Sequence, residues 1–159
     1  MNVPEDPERE IARYREGPDL LERAVTGLRD SELDARPAGG GWSVREIVHH
    51  LADGDDIWKM GIKMAIGNER AEFDLGWYSS QPQTTWSDRW AYNRRSVGAS
   101  LSLLRATREH VVQLLTSVPE AWDRSVVVRT PKGVTEQVPI GFVIRMQADH
   151  VLHHLKQIR

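Results

Sequence analysis

The chain has 159 residues and a formal charge of −2 from 21 basic and 23 acidic side chains, which suits one domain that buries roughly 70% of its unfolded surface. Its basic residues are scattered rather than massed, which excludes the electrostatic footprint of a nucleic-acid binder. Cysteine is absent, so disulfides, thiolate metal sites and a cysteine nucleophile are ruled out, and any thiol chemistry must come from a ligand.

The N-terminal stretch has no apolar run for a signal peptide, and no segment approaches the ~20 apolar residues of a membrane span. A soluble cytoplasmic protein without membrane contact is expected. Asp6 and Pro7 predict a helix start, with proline at the first helical position. The apolar spacing then runs through Ile11 and Tyr14, breaks at Gly17 and Pro18, and resumes as Leu20, Leu21, Ala24, Val25 and Leu28, which predicts one interrupted first helix. Asp30 to Ala35 reads as a short capped turn, and RPAGGG as a loop that turns sharply on its glycines. Ser43 and Glu46 form a capping box that opens the second long helix, which apolar spacing carries to Ile66 before Gly67 and Asn68 stop it.

From Glu69 to Gln83 no period is visible, and a long loop is expected. Its aromatics Phe73, Trp77 and Tyr78 either form the lip of a pocket or pin the loop to the helices. A third long helix runs from about Trp86–Ser87 to Val118, where Pro119 closes it. Ser125–Val128 and Val134–Val138 are β-branched runs joined by RTPKG, which predicts a small hairpin, and the last helix begins near Pro139. The expected fold class is all-α: a four-helix bundle with a small β-hairpin before the last helix, in one domain over residues 1–159.

Five of the six histidines fall in two clusters, His49 and His50 in the second helix and His150, His153 and His154 in the last; His110 stands apart. Residues four apart on a helix share a face, so His150 and His154 are placed to hold one ion between them. At about 100° per residue, His154 lies beside the apolar stripe of Ile140, Ile144, Gln147, Val151, Leu155 and Ile158, with His150 further to the same side. His50 flanks the apolar face of its own helix beside Ile47, Gly54 and Gly61, whereas His49 points to the charged side with Arg45, Asp56 and Lys63. The candidate triad is therefore His50, His150 and His154, with His49 and His153 as solvated neighbours.

Three imidazoles without a fourth protein ligand leave a coordination position open, which marks a catalytic rather than a structural site for zinc, nickel or iron. Water or a thiol at such a cation ionises near neutral pH. The spacing of His150 and His154 matches the H-E-x-x-H metalloprotease helix, but Val151 occupies the place of its glutamate, so that mechanism lacks a base. Glu46 and Asp53 each lie within a turn of His50, and Asp149 adjoins His150. Any of them is a candidate to orient a ligand histidine or to accept a proton, and the bland alternative is a cap for Glu46 and solvation for the others.

The segment GGWSVREIVHHLADGD, followed far downstream by HVLHHLKQI, resembles the DinB/YfiT-like superfamily of metal-dependent enzymes. The resemblance extends to the lead-in DSELDARP and to the order of long helices. It implies an up-down-down-up four-helix bundle, a divalent metal such as nickel or zinc, and a homodimer. In that family the ligands are the histidine before L-A-D, here His50, and the outer histidines of H-x-x-x-H, here His150 and His154. Lys156 stands where the family often has glycine, a departure that concerns packing.

What the resemblance implies about activity divides between hydrolases and S-transferases or isomerases that use a low-molecular-weight thiol. The expected function is thus a metal-dependent enzyme acting on a small-molecule substrate, with water or a thiol cosubstrate activated at the triad. The rival expectations are a non-catalytic dimeric bundle that binds metal for stability or sensing, and a bundle without metal. Six tryptophans are many for a core of this size, and an exposed one is suited to anchor a partner helix.

Overall fold

Asp6 caps the first helix by accepting a hydrogen bond from the Arg9 amide, and α1 runs Pro7–Val25. A computed structural model describes residues 1–130 and 132–158; Pro131, in the expected RTPKG turn, and Arg159, at the end of the expected domain, lie outside the described residues. The break expected at Gly17 and Pro18 does not occur. Proline leaves the Tyr14 carbonyl without its helical donor, and the Arg108 guanidinium supplies one instead, at 2.8 Å.

A single turn of helix, α2 (Asp30–Leu33), leads to the glycine loop, where Gly40 and Gly41 take positive φ values of 81° and 122°. These are angles a side chain disfavours, and they turn the chain into the second long helix. That helix, α3 (Val44–Gly67), opens with the predicted capping box: Ser43 accepts from the Glu46 amide, and Glu46 accepts from the Ser43 amide at 2.8 Å.

The segment expected as loop is more ordered than its sequence suggests. It forms β1 (Glu72–Asp74) and the short helix α4 (Gly76–Ser79). The expected third helix is divided into α5 (Gln83–Arg89), a 3-10 turn at Tyr92–Arg94 and α6 (Val97–Ser117). Ala91 breaks it with a left-handed φ of 53°, and Ser96 recaps the chain by accepting from the Gly98 amide. The division has a cause in packing: Tyr92 is buried and its hydroxyl donates to Asp53 at 2.6 Å, so the chain leaves the helical path to seat it.

After a 3-10 turn at Pro119–Asp123, β2 (Ser125–Arg129) and β3 (Thr135–Pro139) pair antiparallel as the expected hairpin. The hairpin gains a third strand, because β1 pairs parallel with β2. The last helix, α7 (Ile140–Ile158), follows directly.

Four long helices form the bundle, each of α1 and α3 lying against both α6 and α7. Side-chain pairs fix their directions. His49 meets Ser100 and Asp55 meets Arg108, so α3 and α6 run the same way. Arg13 meets Asp149 and a Cβ at Gly17 would touch Val151, so α1 and α7 run together. Gln147 reaching Gly54 sets α7 against α3, and Arg15 with Glu109 and Arg105 with Glu22 set α1 against α6. The order is up-down-down-up.

The core has two apolar halves. One, near the sheet, gathers Tyr14, Ile62, Val111, Trp122, Val126 and Ile144; the other, away from it, gathers Leu21, Val48, Leu51, Leu104, Val151 and Leu155. Between them in sequence lies a buried polar layer, made by Asp55 on α3, Arg108 on α6, Gln147 on α7 and the Tyr14 carbonyl of α1. Arg108 makes two bonds to Asp55, at 3.0 and 2.9 Å, and donates to the carbonyls of Tyr14 and Gln147. Its guanidinium also lies 4.4 Å from the Tyr14 ring centroid. The missing side chain of Gly17 makes room, since a Cβ there would overlap the guanidinium.

Candidate metal centre

The antiparallel meeting of α3 and α7 brings the expected triad together. His150 Nε2 lies 3.0 Å from His50 Nε2 and 3.1 Å from His154 Nε2, and one ligand atom from each ring falls within 4.8 Å of the others. His154 is buried, and His50 and His150 are half-buried. Trp42, just ahead of the α3 cap, packs edge-on against His50 with centroids 4.5 Å apart and lies nearly parallel to His154 at 6.2 Å.

Burial is the main reason that protonation is disfavoured here, since a charged imidazole loses its hydration. It pushes His50 down to about 3 and His150 down to about 4, with the neighbouring histidines adding to each shift. His154 is lowered too, again by burial first, against the opposing effect of the hydrogen bond it donates to Gln157. All three rings are therefore neutral at physiological pH, the form that binds metal.

Gln157 settles which nitrogen His154 presents. The His154 Nδ1–H donates to Gln157 Oε1 at 2.7 Å, and the Gln157 amide nitrogen in turn lies 3.3 Å from His153 Nε2. A neutral ring protonated on Nδ1 has a bare lone pair on Nε2, and that lone pair faces His150. Hydrogen bonds cannot satisfy this cluster fully, because a proton on His150 Nε2 serves only one of its two short contacts. A cation at the common point would meet all three lone pairs, so the donor set fits a divalent ion that favours imidazole.

The three acidic candidates are engaged by other partners. Glu46 is buried at the cap, where it accepts from Ser43, Ser87 and Arg36. Burial works to raise its carboxyl, but those partners outweigh it and hold it below the ordinary range. Asp53 accepts from Tyr92, and Asp149 is exposed and paired with Arg13 at 2.5 Å. Among the described residues none of the three hydrogen-bonds an imidazole of the triad.

The expectation of a solvated His49 is overturned. Its ring is fully buried, with Nδ1 2.7 Å from the Ser100 hydroxyl and Nε2 3.3 Å from the Arg95 carbonyl. The charged side of α3 is covered by α6 and the Tyr92 turn, so Arg45 is buried with it and binds Asp30 and Asp34. His153 is exposed, as expected.

A cavity of about 380 Å³ opens beside the triad, lined by His50 and His150 and walled by Gly54, Trp58, Tyr78 and Met146. The aromatics of the 69–83 segment divide the two roles considered for them. Tyr78 lines the cavity, whereas Phe73 packs against Gly61 and meets Trp58 at 6.2 Å between centroids. Of the six tryptophans, Trp77 is the one largely exposed among the described residues, at 50%. Sequence reasoning missed Gln157, Trp42 and Arg108. The first had a signal, glutamine one turn after a candidate ligand, and the second sits where a residue before a helix cap folds back onto the first turns.

Residues 13–158 match the DinB superfamily. A protein of Geobacillus thermodenitrificans, provisionally named a metal-dependent hydrolase, is 29% identical over 97% of this chain and 83% of its own length. One of Oceanobacillus iheyensis with the same provisional name is 30% identical over 89% of this chain and 77% of its own. Among solved structures, YfiT from Bacillus subtilis, described as a four-helix bundle of unusual topology, superimposes with a TM-score of 0.81 at 25% identity, covering 99% of this chain and 86% of that one. A mycothiol-dependent maleylpyruvate isomerase shares the fold, with a TM-score of 0.69 at 19% identity over 96% of this chain and 60% of the isomerase.

Proposed function

The chain belongs to the DinB superfamily, and from that footing we propose that His50, His150 and His154 hold a divalent cation, zinc or nickel, at the centre of a metal-dependent hydrolase. The observation that carries the reading is the convergence of three neutral imidazoles within 4.8 Å beside a cavity large enough for a small substrate. Such a cation supplies Lewis acidity, which favours the ionised form of water or a thiol at neutral pH. The protein's own share is positional. Gln157 fixes the His154 ring, Trp42 covers one side of the site, and Trp58 and Tyr78 present apolar faces to a bound substrate.

Hydrolysis comes first because similar proteins carry that name. Transfer from a low-molecular-weight thiol stands beside it, since the same three ligands serve either nucleophile. Zinc and nickel titrations of the metal-free protein should give one ion per chain, and alanine at any of the three histidines should abolish stoichiometric binding. Full occupancy in the triple variant would end the proposal. Ester hydrolysis assayed against the addition of bacillithiol, mycothiol or glutathione to an electrophile then separates the two chemistries.

A second reading has the ion tying α3 to α7 for stability or sensing, favoured by its place between two helices. Chelation that lowers the melting temperature, with no metal-dependent turnover on either panel, would select it. A homodimer is part of the proposal, and sedimentation equilibrium giving twice the 18.1 kDa chain mass is its measure.

A further inference from the structure

We propose that the cavity selects an uncharged small molecule with a flat apolar face, and that Tyr78 is its specificity-determining wall. The inference rests on the reading of the triad as the reaction centre only for where the substrate's reacting end lies.

Charge on the walls points to the first half of the claim. Among the described residues that line the cavity there is no lysine or arginine, and the polar members are Gln83, Gln147, Asp149 and His153 besides His50 and His150. The one carboxylate, Asp149, is balanced by Arg13, which is itself shared with Glu10. Arg108 is spent behind the wall on Asp55 and two carbonyls. An anion entering here would lose water and find no guanidinium or ammonium in exchange, which costs more than any apolar contact returns. A cation at the triad meets one negative group at the reacting end; the walls offer nothing to a second.

The second half rests on preorganisation. Tyr78 lies nearly parallel to Trp86 and Trp90, at 17° and 12°, with centroids 5.8 and 6.1 Å away. Its hydroxyl donates to Gln83 Oε1 at 2.6 Å, and its carbonyl accepts from the Trp86 indole at 2.9 Å. The ring is thus held before any ligand arrives, so little freedom is lost when a flat group stacks on it. With its oxygen engaged by Tyr78, the Gln83 amide has its nitrogen to offer, a donor for a carbonyl or hydroxyl rather than for a charge.

The test uses two ligands of one shape, 1-naphthylacetamide and 1-naphthylacetate, measured by calorimetry on the metal-free protein. The amide should bind about tenfold more tightly than the carboxylate. Tyr78→Leu should weaken the amide about fivefold or more, and Tyr78→Phe, which keeps the ring, should weaken it less than about twofold. Equal or tighter binding of the carboxylate, no binding of the amide, or equal losses in the two variants would overturn the proposal. The ligand ratio in the unaltered protein needs no variant to fold. A zinc titration of the same sample judges the triad separately: failure to bind zinc removes the proposed reaction centre, whereas the ligand ratio judges the walls.

Discussion

Gln157 shows how one exposed side chain decides what a buried one can do. By accepting the Nδ1 proton of His154 it leaves Nε2 bare and aimed at the other two rings. Replacing it with leucine removes the acceptor while leaving the helix intact. Zinc affinity measured by calorimetry should fall by about 10- to 100-fold, with circular dichroism unchanged. An undiminished affinity would mean that His154 orients itself. His49 teaches the opposite lesson. It is adjacent to a proposed ligand and more deeply buried, yet both of its nitrogens are already matched by Ser100 and Arg95, so it has nothing left for a metal. A helical wheel puts His50 and His49 on different sides of α3, and His50 does meet His150 while His49 does not, but the wheel cannot know that a neighbouring helix covers the charged side.

At the level of elements, α1 runs unbroken past Pro18 with a residue from another helix filling in for the missing donor. Pro18 removes a donor, Gly17 removes a side chain, and the space and the carbonyl so freed are both taken by Arg108. Gly17→Ala should therefore destabilise, although alanine favours a helix over glycine by about 1 kcal/mol. The added methyl displaces the guanidinium from Asp55, and breaking a buried pair costs about 3–5 kcal/mol. Urea unfolding should show a net loss of about 2 kcal/mol or more; a gain would mean that Arg108 moves aside without cost.

The long helices were legible because each carries a strong apolar period and two open on a cap visible in the sequence, at Asp6 and Ser43, whereas the cap at Ser96 lay hidden inside the expected third helix. The convergence of His50 with His150 and His154 was legible because the last two are four apart on one helix and so share a face. What was not legible depended on partners distant in sequence: Arg108 filling the gap at Pro18, β1 added to the hairpin as a three-residue strand, and the left-handed Ala91 that ends the expected helix so that Tyr92 can be buried.

Across the whole molecule the buried histidines make the metal-free protein sensitive to acid. Unfolded histidine titrates near a pKa of about 6.5, whereas His50 and His150 in the folded chain are pushed down to about 3 and about 4 by burial. Below the unfolded value the unfolded chain takes up protons that the native state refuses, so stability falls as pH falls. Each such histidine contributes a slope approaching about 1.4 kcal/mol per pH unit, from about pH 6.5 down towards the folded value. Urea midpoints of chelated protein should drop between pH 7 and pH 5, and His50→Asn should flatten the profile. A profile independent of pH over that range would show that the native rings protonate freely.

The up-down-down-up order also bears on how the protein is made. The helix that supplies two of the three proposed ligands leaves the ribosome after the other three, and it packs beside the first of them. Until it arrives, the apolar stripe of α1 lacks its closest companion, and His50 waits on a half-built wall. Translation must pass His154 before the three imidazoles can converge, so nascent intermediates carry uncovered greasy surface, the kind of exposure that makes unfinished chains prone to aggregate.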